Sequence, residues 1–288
     1  MDIGIGLPTT IPGADGPTLI EWARHADEAG FESLGTLDRL VYDSYDPIAA
    51  LGAAAAVTGD LRLTTAVILT PYRGNGVLLA KQLASLDQLS GGRVTVGVGV
   101  GGHSEDYLAA AEDFSRRGAA QDRMLAEMRA VWAGGARDSG GIVGPPPARP
   151  SGLPLLIGGS GRAAIRRVAE HGSGWIAGGG GPEMFSKTAQ QVQQAWADEG
   201  RDGVPYLAAT AFFALGEHAK AASRRYLLDF YSFLGDAADR IAQSALTDPE
   251  TLKREIAGFA EADCDELILF PCSADPDEID LLARAALR

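Results

Sequence analysis

The sequence has few of the side chains from which disulfide and metal sites are built. It holds two cysteines, Cys264 and Cys272, and four histidines in 288 residues. Two cysteines at this spacing suit neither a disulfide framework nor a zinc site, and they favour free thiols in a reducing compartment. Basic side chains are also scarce, since 25 lysines and arginines stand against 38 acidic residues and leave a net charge of −13. This balance argues against nucleic acid and anionic membranes as partners and is typical of a solvated acidic surface.

Long apolar runs are missing as well. No uninterrupted apolar stretch is long enough to span a membrane, and the first residues follow a strand pattern rather than that of a targeting segment. We therefore expect a cytoplasmic protein without membrane contact. The length of 288 residues allows a sizeable core within one large domain.

What the sequence does contain is a regular alternation of short apolar strands and amphipathic helices. Such strands are typical of parallel sheets, and eight strand–helix units close most naturally as a (β/α)8 TIM barrel. We predict one barrel domain over residues 1–288, with short insertions after strands 4 and 7 and a surface connection at 134–152. A doubly wound open sheet is the alternative, which the lack of a G-x-G-x-x-G segment after the first strand disfavours. The predicted strands span 3–7, 33–37, 63–69, 94–100, 155–157, 175–177, 206–215 and 266–270.

Two glycine-rich turns, at 158–161 and 178–181, follow the fifth and sixth predicted strands. Glycine lets the backbone turn sharply and approach a ligand closely. The helix that begins directly after the first turn offers free N–H groups and the positive end of its dipole. In a barrel both turns would lie side by side at the C-terminal rim, where active sites are built. The pattern predicts a site for an anion such as phosphate.

The rest of this rim is poor in acids, bases and metal ligands. One histidine, His103, falls in a rim loop beside Glu105 and Asp106. This is a weak metal pattern, so we predict no metal and interpret the two carboxylates as solvated. A phosphosugar isomerase or aldolase remains an alternative, but it would need an inward lysine or glutamate at a strand end. A cofactor is therefore expected to carry the chemistry. The four lysines all fall in predicted helices: Lys81, Lys187, Lys220 and Lys253.

Six segments carry a resemblance to a known family. They are LTTAVILTPYR (63–73), LAKQLASLDQLSGGR (79–93), VTVGVGVGG (94–102), Gly118 with the predicted helix through Trp132, PLLIGG (154–159) and HGSGWI (171–176). Each segment by itself is moderately specific for the family, and the order in which they follow one another is a strong signal. On the basis of these segments, the chain resembles the bacterial-luciferase-like flavin monooxygenases over essentially its whole length. That family includes a branch that uses a deazaflavin coenzyme.

The resemblance implies a flavin at the C-terminal rim of the barrel, with reduced FMN as the cofactor and the deazaflavin coenzyme F-420 (F420) as the alternative. It implies that the two glycine turns hold the phosphate. It also implies a non-prolyl cis peptide, Ala66–Val67, behind the flavin ring. Because the family is often dimeric, we expect a homodimer, and we expect a separate flavin reductase to supply reduced FMN. The implied cofactor-binding residues are Ala66, Val67, Gly158, Gly159, Ser160, Gly161, Gly178, Gly179 and Gly180.

Two positions depart from the family pattern. Many members carry an acid and then a histidine after the second strand, whereas this chain has Asp38 and Arg39. Arg39 stays protonated and cannot act as a base. We hypothesise that Arg39 holds the reduced flavin by charge-assisted hydrogen bonds and that Asp38 orients it; a plain ion pair between the two is the alternative. The glutamate that deazaflavin dehydrogenases can carry after the fourth strand is replaced by Gly102, so its neighbour His103 becomes the third catalytic candidate.

Aromatic residues near the rim are the candidates for substrate contact, namely Tyr42, Tyr72 and Tyr231. Tyr231 lies in an aromatic stretch, 226–233, whose helical spacing is equally typical of ordinary helix packing.

Three functions are compatible with these residues and with the resemblance. The leading hypothesis is a monooxygenase that uses reduced FMN and O2 on a small organic substrate. A deazaflavin-dependent hydride-transfer enzyme is the nearest alternative, and a flavin-binding barrel without catalysis is the second.

Overall fold

Eight parallel strands form a closed barrel in the computed structural model, which describes residues 1–134 and 141–287. The predicted surface connection at 134–152 therefore lies partly outside the described residues. Each strand pairs with the next along the chain, and the last strand pairs with the first. The strands are β1 (Asp2–Gly6), β2 (Ser33–Thr36), β3 (Arg62–Leu69), β4 (Val94–Gly99), β5 (Leu155–Gly158), β6 (Gly174–Ala177), β7 (Tyr206–Phe213) and β8 (Glu266–Pro271).

Helices follow the strands and cover the outside of the barrel. They are α1 (Gly16–Glu28), α2 (Pro47–Ala55), α3 (Gly76–Leu89), α4 (Ser104–Ala109), α5 (Arg117–Trp132), α6 (Arg162–His171), α7 (Gly181–Asp198), α8 (Ala219–Phe230), α9 (Asp236–Gln243), α10 (Pro249–Glu261) and α11 (Asp277–Ala286). The main core lies between this layer and the strands. A smaller cluster, which includes Leu156, Ile268 and Phe270, packs together separately. The predicted (β/α)8 architecture is confirmed.

Several helices begin where the sequence places a capping side chain. Asp15, Asp46, Asn75 and Asp248 each accept a hydrogen bond from a backbone N–H in the first turn of their helix. Such bonds satisfy donors that the helix itself leaves unpaired. Helices α6 and α7, which follow the two glycine turns, have no side-chain cap.

Strand β3 contains a bulge that explains the alternation of valine and glycine in β4. Two residues of β3, Ala66 and Val67, stand opposite the single residue Gly97 of β4. The peptide between Ala66 and Val67 is cis, as the resemblance implies. A Cβ atom on Gly97 would lie 2.1 Å from the Thr65 carbonyl oxygen, and one on Gly99 would lie 2.7 Å from a Val67 methyl group. The bulge therefore requires glycine at both positions.

Two connections between strands hold additional helices. The connection from β4 to β5 contains α4 and α5, and α5 begins at Arg117. The connection from β7 to β8 contains α8, a 3-10 turn (Ser232–Leu234), α9 and α10. The short helix α4 forms where the sequence predicted only a loop, and its residue Tyr107 is fully buried. Within the described ranges, no helix is both apolar and long enough to pass through a bilayer.

Arg93 ties three segments together on the outside of the barrel, between α3 and β4. Its guanidinium donates to the carbonyl oxygens of Ala55, Thr58, Leu61 and Ser90 at 2.8–3.1 Å, and to the Thr58 hydroxyl at 2.9 Å. One side chain therefore provides hydrogen bonds to carbonyl groups at the end of α2, in the segment just before β3 and directly after α3.

We expect Arg93→Ala to lower the free energy of unfolding by about 3 kcal/mol, because it removes several charge-assisted bonds to backbone carbonyls. Arg93→Lys should not restore the loss, since lysine cannot reproduce the planar fork. Arg24→Ala is the matched control, because Arg24 pairs with Glu21 at the exposed surface. Urea denaturation of the three variants tests this expectation, and equal stabilities of the Arg93 and Arg24 variants would contradict it.

Candidate functional site

The two glycine turns meet at the C-terminal ends of β5 and β6. Gly159 and Gly179 have positive φ angles of 106° and 107°, which favour glycine. The indole N–H of Trp175 donates to the Gly159 carbonyl at 2.8 Å and fixes the first turn. A cavity of about 370 Å3, here called the turn cavity, lies between the turns. It is lined by Gly159, Ser160, Trp175, Ala177, Gly178, Gly179, Gly180, Met184, Phe185 and Thr188.

Backbone donors at these turns have no side-chain acceptor. Neither α6 nor α7 is capped by a side chain. In α6 the first backbone bonds are donated by Ala164 and Ile165 to the Gly161 carbonyl, so the earlier N–H groups of this helix have no acceptor among the described residues and can bind a ligand. Two helix N-termini with free donors form a suitable site for an anion.

A second cavity, of about 190 Å3, lies beside the β3 bulge and is called the bulge cavity. It brings together Ala66, Val67, Gly158, Gly159 and Gly178, five of the residues that the resemblance implies for the cofactor site. Its walls are apolar except for one hydroxyl. The remaining lining residues are Leu69, Gly99, Val100, Gly101, Ile176, Ala177 and Thr210.

A third cavity, of about 260 Å3, lies on the other side of the second glycine turn and is called the side cavity. It shares Gly178 and Thr210 with the bulge cavity. Its walls are formed by that turn, by β7, by the end of α9 with the residues that follow it, and by α10. Of the three tyrosines predicted to contact substrate, Tyr231 is the one that lines it.

Asp38 binds Arg73 instead of Arg39, so the hypothesis that Asp38 orients Arg39 is wrong, and so is the alternative of an ion pair between them. The Asp38 carboxylate accepts from Arg73 at 3.1 Å, from the Tyr72 hydroxyl at 2.5 Å and from the Leu69 N–H at 2.8 Å. The partners of Asp38 all lie at the end of β3 or on the segment directly after it. Asp38 therefore fixes the end of β3, where Leu69 lines the bulge cavity.

Arg39 is buried and its guanidinium is held by several partners. It donates to Asp106 at 3.0 Å and to the Val41 and Phe230 carbonyls at 3.1 and 3.4 Å. Asp106 is fully buried, so its interpretation as a solvated loop residue is wrong, whereas Glu105 is exposed. The described residues that line the bulge cavity do not include Arg39. Its contacts join the loop after β2 to α4 and α8.

His103 is buried beneath an aromatic side chain. Its ring centroid lies 3.5 Å from that of Phe233, and neither ring nitrogen has a well-formed hydrogen bond to a described residue. Burial, and then the Arg39 guanidinium, lower the pKa of His103 to about 4, although Asp106 and the Phe230 backbone act in the opposite direction. His103 is therefore a neutral imidazole at pH 7.

The other two tyrosine candidates have occupied hydroxyl groups. Tyr72 donates to Asp38, and Tyr42 donates to Asp229 at 2.6 Å. Burial, followed by the Asp38 charge, raises the pKa of Tyr72 above its usual range, so the phenol stays protonated. Both tyrosines thus have structural bonds within the rim.

Sequence reasoning missed the roles of Arg73, Asp106, Thr210 and Glu255 at this rim. Their partners and cavities involve residues distant in sequence, such as Asp106 and Arg39, which are 67 positions apart. A local pattern therefore gives no signal for Arg73, Asp106 and Glu255. Thr210 has a weak signal, because it is a polar residue inside an apolar strand. Within the described ranges, no cluster of three or more His, Cys, Asp or Glu side chains could hold a metal ion.

The neutral state of buried His103 predicts a pH-dependent stability. Its pKa is about 4 in the fold against 6.5 in the unfolded chain, so the unfolded state binds a proton that the fold excludes between these values. The His103 contribution to unfolding free energy should fall as pH decreases through this window, by about 2 kcal/mol at pH 5, and should be constant above pH 7. Urea denaturation of wild type and His103→Gln at pH 5 and 7.5 measures the difference. A parallel loss in both proteins would contradict the buried neutral state.

Comparison with known proteins agrees with this architecture. The family model for luciferase-like monooxygenases matches residues 1–280. An uncharacterized protein of Mycobacterium tuberculosis is 36% identical over 173 residues, which are 57% of this chain and 60% of that protein. An F420-dependent glucose-6-phosphate dehydrogenase of Beutenbergia cavernae is 31% identical over 59% of this chain and 55% of its own length. Each of these two matches thus covers less than two thirds of the relative's length.

The fold also has solved counterparts. The crystal structure of the monooxygenase RslO1 from Streptomyces bottropensis aligns with a TM-score of 0.82 at 22% identity, over 100% of this chain and 99% of that one. This likeness concerns the fold, whereas the family model concerns the sequence itself. Because that model spans nearly the whole chain, the protein belongs to the luciferase-like monooxygenase family of flavin- and F420-dependent oxidoreductases.

Proposed function

We propose that the protein binds a flavin-type cofactor across the mouth of the barrel, with the phosphate in the turn cavity and the ring in the bulge cavity. The observation that carries this proposal is the position of Gly178, which lines both cavities and the side cavity as well. A Cβ atom on Gly178 would meet no other atom within 4 Å. The space above this residue is therefore open to a ligand.

The residues present fit such a cofactor. Free N–H groups at the start of α6 and α7 suit a phosphate. The apolar walls of the bulge cavity, including Val67 and Ile176, suit a flat aromatic ring, and the Thr210 hydroxyl offers one polar contact. The bond that Thr210 donates to the Ala177 carbonyl at 3.1 Å fixes its position.

The protein's own part in the reaction is to bind, orient and exclude water. A bound reduced flavin supplies two electrons to O2, whereas a reduced deazaflavin supplies a hydride to the substrate. Asp38 holds Leu69 against the cavity through the backbone of β3. Phe233 covers His103 and the loop after β4. Arg39 acts as a positioning residue, because it holds that covering segment through the Phe230 carbonyl.

Monooxygenation is our leading proposal because no ionisable side chain lines the bulge cavity among the described residues. An apolar wall suits oxygen chemistry that must be protected from water. Hydride transfer to or from an oxygen-bearing carbon instead needs a group that moves a proton. The position of the family's glutamate, Gly102, leaves little room for such a group, since a Cβ atom there would lie 3.1 Å from the Phe233 ring.

Deazaflavin-dependent hydride transfer is the second candidate. The glucose-6-phosphate dehydrogenase relative, which is F420-dependent, is 31% identical over its matched region. In this case neutral His103 is the nearest candidate for proton transfer, and it would need Phe233 to move aside.

Oxygen dependence separates the two candidates. The protein is first titrated with FMN and with F420. It is then assayed with a panel of small ketones, alcohols and amines, either with reduced FMN in air or with F420 under argon. Monooxygenation predicts substrate-dependent transfer of one 18O atom from labelled O2 into the product. F420-linked turnover without oxygen would overturn it, and tight binding without any turnover would favour the non-catalytic barrel.

Gly178→Leu should weaken cofactor binding about tenfold or more, because the new side chain occupies the shared space of the cavities. The fold should tolerate it, since no atom lies within 4 Å of the new Cβ position. Gly159 is less suitable for this test, because its φ of 106° strains any other residue. Fluorescence titration with FMN and F420 measures the effect.

The control for this test is Gly52→Leu in α2, where an added Cβ atom also meets nothing within 4 Å. Both variants should keep a thermal midpoint within about 4 °C of wild type. Unchanged cofactor affinity in Gly178→Leu would refute the assigned site. The single domain, homodimer, separate flavin reductase and cytoplasmic location stay predictions from the sequence.

A further inference from the structure

The side cavity has a different character from the two cavities assigned to the cofactor. Among the described residues, it shares the glycine turn at 178–180 with the turn cavity, and it shares Gly178 and Thr210 with the bulge cavity. The glycine turn thus separates it from the proposed phosphate position. A ligand in the side cavity would lie beside the cofactor ring without competing for the anion site.

The walls of the side cavity combine an apolar body with a few polar groups. Phe212, Tyr231, Leu246 and Phe259 supply aromatic and aliphatic surface. Phe212 and Tyr231 pack edge to face with ring centroids 5.9 Å apart. This surface suits an aromatic or aliphatic group of a small molecule.

One carboxylate, Glu255 of α10, lines the cavity. Among the described residues it makes no ion pair or hydrogen bond. Its Oε2 atom lies 4.0 Å from the Cβ position of Gly181, so the carboxylate points at the glycine turn. Of the basic neighbours on α10, Lys253 pairs with the exposed Glu250, whereas Arg254 donates to the hydroxyl of Thr251 at the wall of the same cavity without lining that cavity itself.

Of the described residues that line this cavity, Glu255 is also the one carboxylate, and no lysine, arginine or histidine lines the cavity beside it. The other titratable group is Tyr231, whose pKa burial raises above its usual range, so the phenol is neutral. A single unpaired carboxylate among the otherwise uncharged walls of a partly enclosed cavity favours a cation and disfavours an anion.

We propose that the side cavity is the substrate site and that Glu255 selects small organic amines, by pairing with a protonated amine while the aromatic walls hold the rest of the molecule. This inference rests on the proposed function, because the cavity opens onto the cofactor position at Gly178. Glu255 is a specificity-determining residue in this scheme and takes no part in the electron transfer.

Binding of three probes of similar shape tests the inference. Phenethylamine, 2-phenylethanol and 3-phenylpropionate are titrated by calorimetry into the protein loaded with FMN or F420, whichever binds. Wild type should bind the amine at least about tenfold more tightly than the alcohol and should bind the carboxylate most weakly. Glu255→Gln, which keeps the side-chain shape, should remove the preference for the amine.

Glu250→Gln is the matched control, because Glu250 lies on the same helix at the exposed surface. It should keep the wild-type preference. Equal binding of amine and alcohol by wild type, an unchanged preference in Glu255→Gln, or no binding of any probe would overturn the inference.

The two proposals fail in different ways. A protein that binds FMN or F420 normally but shows no preference for the amine contradicts the substrate class alone. A protein that binds neither cofactor contradicts the proposed function, and the amine preference is then measured on the protein without cofactor, where Glu255 and the side cavity are unchanged.

Discussion

The bulge in β3 is the constraint on which the rest of the site depends. One additional residue in β3 brings the Thr65 carbonyl to the position that a side chain on Gly97 would take, and it brings Val67 against Gly99 and Gly158. The neighbouring strands must therefore carry glycine at these points. Without their side chains, the C-terminal end of the barrel keeps an apolar hollow beside β3, whereas barrel interiors are otherwise filled by packed side chains.

Polar groups around this hollow are used to hold the structure. Asp38 joins β2 to the end of β3 through Leu69 and Arg73, and Arg39 joins the same loop to α4 through Asp106. Buried charges of this kind are costly unless they are paired, which explains why each has several partners. The result is a rim whose side chains are occupied by structural contacts and supply little acid–base chemistry. Such a rim is consistent with a family of enzymes in which the cofactor carries the reaction.

The sequence predicted the parts of the site that depend on local backbone requirements. The turns at 158–161 and 178–181 are recognisable because glycine there permits positive φ angles and close approach. The glycines that alternate with valine in β4 permit close approach by another backbone, and the Thr65 carbonyl provides it. These features are local in sequence, or repeat with the period of a strand.

The pairing of charged side chains, in contrast, could not be predicted from local sequence patterns. Asp38 and Arg39 are adjacent in sequence, yet they point to different neighbours, Arg73 and Asp106. The side cavity likewise joins β7, α10 and the second glycine turn. By itself, the sequence determined the strands, their closure into a barrel and the two turns, because periodicity and glycine geometry act over a few residues. Only the tertiary structure decided which charges pair and which walls enclose a cavity, because those contacts join residues that meet through the closure of the barrel.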